Sequence, residues 1–206
     1  MENFMKWLTE YKWYAVGLVF VLAVFALVLR MAAKAYRRYY EHFKKEEANI
    51  KHLLELKEKY ANLTKEVISG ADDGELLEGA ALSYQLVLQK AEDMSGEFKK
   101  MNKEQQYIYA LDVFVSDKSP RTFFSENGRE LTEIIVPALE LIGLKEEAAE
   151  AEKLRIMFDE KDETTSINEK IISEVEEYFD KGDVLTKIKH CGAKYIKENA
   201  EKFSKD

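Results

Sequence analysis

The residues that most often catalyse reactions or bind metal ions are few and poorly spaced in this sequence. The three histidines, His42, His52 and His190, follow neither the H-x-x-x-H nor the H-E-x-x-H spacing that places two metal ligands on one helix face. Cys191 directly follows His190, but neighbouring residues of a helix point about 100° apart, so this pair cannot face each other as nucleophile and base. The sequence therefore predicts no catalytic residue and no metal site.

Motifs that hold phosphates or cations through backbone and carboxylate oxygens are also missing. The sequence contains no G-x-x-x-x-G-K-[ST], G-x-G-x-x-G or G-x-S-x-G motif. The acidic runs at 72–75 and 159–163 lack the alternating ligands of a calcium loop, and we interpret them as helix caps and solvated linkers. A single cysteine excludes an internal disulfide and a cysteine-based zinc site. We therefore expect no cofactor and no enzymatic activity.

The composition points to helices as the elements of this chain. Of its 206 residues 46% are hydrophobic and 34% charged, and only 9 are glycine and 2 proline. Such a composition excludes collagen-like, low-complexity and disordered classes, and argues against a turn-rich all-β fold. Every long segment has helical periodicity and none alternates as a strand would. The predicted fold class is all-α.

An uninterrupted apolar segment lies near the N-terminus. Residues 13–29 contain no charge, and Lys12 with Trp13 on one side and Leu29 with Arg30 on the other mark its boundaries. A helix of this length spans about 26 Å, near the lower limit for a bilayer core. We predict a transmembrane helix over 13–30 after a short tail, 1–12. The alternative is a signal peptide cleaved near Ala33, although Arg30 and Lys34 stand where secretion signals are usually neutral.

Basic residues flank this segment unequally, with two before it and six within the 16 residues that follow. By the positive-inside rule this places the N-terminus outside and the C-terminal part in the cytoplasm, in a single-pass protein of a bacterial-type plasma membrane. Residues 30–45 also interleave bases with tyrosine and phenylalanine. This pattern is either the orientation signal alone or a segment that lies against anionic headgroups.

Charge divides the chain into a basic and an acidic part. Residues 1–45 carry 8 Lys or Arg and 3 Asp or Glu, whereas residues 46–206 carry 23 and 36, a net charge of −13. A domain of this charge repels phosphate, so we expect no direct binding of nucleic acid. The predicted organisation is a basic juxtamembrane and stalk helix over 31–70, followed by a compact acidic domain of several helices over 71–206.

Caps and breakers divide this region into helices. The apolar stripe from Ile50 to Val67 predicts a stalk helix that ends near Gly70 and packs against its own domain rather than forming a coiled coil. Pro137 is expected to kink or shorten a helix near Glu133. Further helices are predicted to start at caps on Asp72, Asn102 with Gln105, Ser119 with Pro120 and Ser166 with Glu169, and to end at Asn127, Gly143, Gly182 and Phe203.

One stretch of this region has a familiar pattern. It contains Phe123-Phe124-Ser125-Glu126-Asn127-Gly128 and then Ala138-Leu139-Glu140-Leu141-Ile142-Gly143. The pattern resembles the small all-helical family named after a bacterial DNA-mimic protein, and the resemblance covers most of 72–203. At the family's N-G-G-F turn this chain instead has Asp117-Lys118-Ser119-Pro120. The resemblance implies an all-α domain whose acidic surface imitates the phosphates of DNA and occupies a DNA-binding protein.

Two functional hypotheses follow. In the first, the protein is a membrane-anchored acidic module that binds a basic or DNA-binding protein partner. The candidate partner-binding residues are Glu146, Glu147, Glu150, Asp159, Glu160, Asp162 and Glu163. In the second, the protein is a structural or assembly subunit that forms a homo-oligomer through its stalk helix.

Overall fold

The computed structural model describes residues 2–158 and 168–205, with side chains described for Tyr11, for 16–18 and from Phe20 onward. Within these residues the regular structure consists of helices and no strand occurs, so the predicted all-α class is confirmed. The chain forms two compact units, Met1–Leu53 and Leu54–Asp206.

The first helix, α1, runs from Glu2 to Tyr60 without a break. It therefore contains the predicted tail, the apolar segment and the start of the predicted stalk in one continuous helix. Among the described residues it is the helix that is long and apolar enough to cross a membrane, and its apolar window is not buried in the protein. Its last turns, with Leu56 and Tyr60, belong to the second unit and are buried there.

Eleven further helices follow α1 within the described part of the second unit. They are α2 Lys65–Gly70, α3 Asp73–Leu88, α4 Met94–Lys100, α5 Lys103–Ser116, α6 Pro120–Glu126, α7 Arg129–Thr132, α8 Ile135–Leu141, α9 Lys145–Met157, α10 Glu169–Asp180, α11 Val184–Glu198 and α12 Ala200–Phe203.

The predicted single stalk helix over 31–70 is wrong, because the chain breaks between α1 and α2. The Thr64 side chain accepts a hydrogen bond from the Val67 backbone N–H at 3.3 Å and caps the new helix. The break lets Leu63 and Ile68 both enter the core, where neither is exposed. A continuous helix would point these two residues about 140° apart, on different faces.

Most of the predicted caps are confirmed. Asp72 and Ser119 cap α3 and α6, and Asn102 forms a reciprocal capping box with Gln105 at the start of α5. The predicted box starts at Ser166, which lies outside the described residues. Among the described residues, the Asn168 side chain accepts hydrogen bonds from the first turn of α10.

The predicted breaks near Pro137, Gly143 and Gly182 are also confirmed. The helix containing Pro137 starts only at Ile135, because α7 ends at Thr132 and a turn separates the two. Gly143 follows the end of α8, and Gly182 follows the end of α10. Their φ angles are +83° and +70°, in the conformation that favours glycine. The predicted final helix is wrong in one respect, since it breaks at Asn199 into α11 and α12.

The core of the second unit is built around α3, which packs against α5 and α11. A cluster of aromatic rings fills the space between α5, α6 and α10. Phe114 contacts Phe123 and Phe179 edge-on, with ring centroids 5.1 and 5.2 Å apart. Phe124 continues the cluster at 5.2 Å from Phe123. These side chains are 5% exposed or less, so the motif phenylalanines are core residues.

Gly79 of α3 lies directly against the ring of Tyr60. A Cβ atom on Gly79 would lie 2.5 Å from Tyr60 Cγ, inside van der Waals contact. Gly79→Ala should therefore lower the free energy of unfolding by about 1 to 3 kcal/mol, despite the helix propensity of alanine. Thermal unfolding of the full chain in detergent would measure this change. Gly70→Ala is the control, since nothing lies within 4 Å of its Cβ position, and an equal loss there would contradict the assignment.

Candidate partner-binding surface

The acidic start of α9 follows the turn at Gly143. Glu146 and Glu147 lie in the first turn, where the helix dipole favours negative charge. Their environments differ sharply. Glu146 is exposed, whereas Glu147 is only 2% exposed and accepts a hydrogen bond from Lys187 Nζ of α11 at 2.5 Å. Glu147 was predicted as a partner-binding residue, but its carboxylate is enclosed and already paired within the fold.

The third predicted carboxylate of α9, Glu150, is accessible but paired. Its oxygens accept hydrogen bonds from Lys153 Nζ at 2.6 and 2.7 Å, one turn further along the helix. An exposed ion pair of this kind contributes only about 0 to 1 kcal/mol, so a basic partner can replace the lysine at little cost. Glu146 and Glu150 therefore form the part of the predicted site on α9 that a partner can reach.

Helix α10 brings Tyr178 next to these residues. Burial and the carboxylates of Glu147, Glu146 and Glu150 raise the pKa of Tyr178, with Lys187 opposing them. The outer part of α10 carries acids that the sequence analysis did not select: Glu174, Glu176, Glu177 and Asp180. The strong amphipathic pattern of α10 in the sequence was the signal that could have identified these acids, because it separates a polar side of the helix from an apolar one. Glu174 lies one turn before Tyr178 on the same side of α10, so we name Glu146, Glu150 and Glu174 the α9–α10 acidic surface.

Two of the exposed carboxylates on α10 pair with lysines of the same region. Lys170 Nζ lies 3.7 Å from Glu174 and Lys181 Nζ lies 2.5 Å from Glu177. Both pairs are exposed and are screened by salt. The predicted acids Asp159, Glu160, Asp162 and Glu163 lie outside the described residues.

The residues that carry the family resemblance hold the fold together. Asn127 Nδ2 donates hydrogen bonds to Asp117 Oδ2 at 2.8 Å and to the Phe123 carbonyl at 3.1 Å, which ties the end of α6 to the end of α5. Burial raises the pKa of Asp117, while this hydrogen bond from Asn127 lowers it. Gly128 starts α7 and Ile142 ends α8. Asp117 thus has a structural role at the position where this chain departs from the family pattern.

At the predicted membrane anchor, the side chains of Lys12 and Trp13 lie outside the described ones. Leu29 and Arg30, at the other boundary, are exposed, Leu29 to 54%. Leu29 lies in the apolar part of α1, which is not buried in the protein, and its exposure is what a lipid-facing residue requires.

A half-buried polar cluster that the sequence analysis missed lies between α3, α5 and α11. Asp112 is partly exposed as a residue, but its Oδ1 atom is shielded from solvent and has no hydrogen-bond partner within the described part of the chain. Burial, with help from the Glu78 carboxylate, raises the pKa of Asp112 to about 7, and Lys189 opposes this rise. Lys189 Nζ lies 3.7 Å from Glu78. The apolar periodicity of the α5 sequence gave no reason to select Asp112 as a functional residue.

Two of the residues considered for catalysis lie next to each other on α11. His190 is exposed and Cys191 is half-buried, and both line an open depression on α11 together with Asp73 and Lys197. Lys197 Nζ is occupied by hydrogen bonds to Asp73 and to the Ala71 carbonyl. In the described residues no group of three or more His, Cys, Asp or Glu side chains is arranged to hold a metal ion.

Comparisons of this chain with protein-family models, with curated proteins and with solved structures find no match. The resemblance to the DNA-mimic family therefore stays a prediction made from the motif residues.

The buried carboxyl group of Asp112 predicts a pH-dependent stability. Its pKa in the folded state is raised from 3.8, so its contribution is largest below that value and is lost as the pH rises through about 7. Asp112→Asn should therefore be more stable than the parent chain at about pH 8, by about 1 to 3 kcal/mol, with a smaller difference at about pH 5. Chemical unfolding of the two full chains at both pH values measures this difference.

Glu140→Gln provides the control, because Glu140 is an exposed carboxylate of α8. It should leave the stability at both pH values within about 0.5 kcal/mol of the parent. An Asp112→Asn variant with the same pH profile as the parent chain would show that Asp112 is not the titrating group.

Proposed function

We propose that this protein is a single-pass membrane protein whose acidic helical domain, Leu54–Asp206, binds a basic protein partner. The observation that carries the proposal is the exposure of apolar side chains in α1. Ten Val, Leu and Phe side chains between 16 and 29 are 47–69% exposed. They cover every side of the helix, as in a segment surrounded by lipid, rather than one face as in a helix that packs on a domain.

The proposed orientation places the N-terminus outside and the domain in the cytoplasm of a bacterial-type plasma membrane. The unequal distribution of Lys and Arg around the apolar segment supports it, because such residues are retained on the cytoplasmic side. The single Cys191 agrees with a reducing compartment, where no disulfide partner is needed.

This topology is testable with single cysteines in a Cys191→Ser chain. A membrane-impermeant maleimide added to intact cells should label Asn3→Cys, and should label Ser69→Cys only after the cells are opened. Cys191→Ser alone is the blank. Labelling of Ser69→Cys in intact cells would invert the orientation, and release of the whole chain by alkaline carbonate would exclude the membrane span.

The α9–α10 acidic surface is the part of the domain that we propose contacts the partner. Two features support this proposal. Glu146 is exposed, and the lysines that pair with Glu150 and Glu174 belong to weak surface pairs. The family resemblance adds the chemical class of the partner. If carboxylates stand where DNA phosphates would stand, the partner is a DNA-binding protein, and the domain competes with DNA for it.

Binding to this surface should depend on salt and on these carboxylates. We expect the full chain, used as bait in a detergent extract, to retain its partner at about 50 mM salt and to lose most of it at about 300 mM. Double-stranded DNA added at low salt should displace the partner. Glu146→Gln with Glu174→Gln should weaken retention about tenfold, since each charged contact contributes roughly 0.5 to 1 kcal/mol.

The matched control is Glu66→Gln with Glu201→Gln, which removes the same charge from α2 and α12. It should retain the partner like the parent chain. Retention that ignores salt, or an equal loss in both variants, would argue against electrostatic binding at the α9–α10 acidic surface.

Self-association through α1 is the second candidate function. Tyr36, Phe43 and Ile50 are spaced seven residues apart and are 71%, 53% and 59% exposed. Residues at this spacing lie on one side of a helix, as at the contact positions of a coiled coil. Glu46, which falls on the second contact position of the same repeat, weakens this interpretation.

A further inference from the structure

The segment of α1 directly after the apolar stretch concentrates positive charge. Residues 30–45 hold six bases and one acid, Glu41. The bases are Arg30, Lys34, Arg37, Arg38, Lys44 and Lys45. Every side chain of this segment is exposed. In the described part of the chain no ion pair joins any of the six bases to a carboxylate, and Lys44 lies over the Tyr40 ring at 5.2 Å from its centroid.

The bases all lie on one side of the helix. At about 100° per residue, their positions fall within about 120° of the helix circumference. We call these six residues the basic stripe. The aromatic residues Tyr36, Tyr39, Tyr40 and Phe43 fall within about 100° on the opposite side. The positive-inside rule depends on the number of bases and places no condition on their angle, so the sidedness needs a separate physical reason.

The stripe begins where the apolar segment ends. Arg30 directly follows Leu29, so it reaches the level of the lipid headgroups if residues 13–29 span the bilayer core. Arg37 and Arg38 lie about 10 to 12 Å further along the helix. This is a few ångströms outside the headgroup region, which is roughly 5 to 7 Å thick, and within one screening length of an anionic surface. Arginine forks also match the geometry of phosphate oxygens.

We propose that the basic stripe is a binding site for anionic phospholipids of the leaflet next to Arg30. This inference rests on the proposed membrane span. The proposed ligand of the basic stripe is the phosphate group of a lipid headgroup. The first four bases of the stripe, from Arg30 to Arg38, lie within about 12 Å of the end of the apolar segment, so their charges face a surface of negative headgroups. The aromatic side of the same segment contributes rings of the kind that collect at membrane interfaces.

The experiment reconstitutes the full chain into nanodiscs of phosphatidylcholine with a minority of phosphatidylglycerol, and counts the lipids that stay bound by native mass spectrometry. We expect phosphatidylglycerol to be enriched at least about fivefold over its share of the disc, since each base near an anionic surface contributes about that factor. Arg37→Gln with Arg38→Gln should reduce the enrichment to less than about twofold. Lys90→Gln with Lys103→Gln removes the same charge from the helical domain and should change nothing.

Each of the following outcomes would contradict the proposed lipid-binding site. A parent chain that enters discs of phosphatidylcholine alone, but shows no preference for phosphatidylglycerol, retains the span and overturns the lipid site. A chain that enters no disc overturns the proposed membrane function itself. Enrichment that survives Arg37→Gln with Arg38→Gln, or that falls equally in the control, removes the stripe as the binding site. Crosslinked dimers that form equally with either lipid, without enrichment, would assign the segment to a second copy of the chain.

Discussion

The apolar side chains that cover every side of α1 between residues 16 and 29 are the constraint on which the proposed biology depends. Burying one such side chain stabilises a protein in water by about 1.5 to 3 kcal/mol. Leaving ten of them half exposed to water therefore costs a free energy on the order of 10 kcal/mol. This equals the whole stability of a typical domain. None of the apolar window is buried in the protein, and this is the basis for proposing that lipid covers it.

The second unit has a core of its own. Its helices enclose aromatic and aliphatic side chains around α3, where Gly79 admits the ring of Tyr60. The last turns of α1 enter this core, so the helix that contains the apolar segment also contributes Leu56 and Tyr60 to the domain. Asp112 adds a polar group beside this core. Its Oδ1 atom has no hydrogen-bond partner in the described part of the chain, which makes the stability of the domain sensitive to protonation near neutral pH.

Charge has different roles at the two ends of the chain. In residues 30–45 the bases lack carboxylate partners, so their field reaches the surroundings. In the domain many carboxylates are already compensated, either by a lysine of the same helix, as for Glu150, or by one of another helix, as for Glu147. The net charge of residues 46–206 is −13. Because many of the carboxylates are paired within the fold, fewer of them are accessible to a partner than this charge suggests.

Local chemistry along the sequence determined the class and most of the helix boundaries. Asn102 with Gln105, Ser119 with Pro120, and the glycines at 143 and 182 act on backbone groups within one turn, so no distant contact is needed to place them. Tertiary structure decided the break at 61–64, the burial of Glu147 and the position of Asp112. These depend on which helices meet, because the same glutamate is solvated on a free helix and enclosed once α11 brings Lys187 against it.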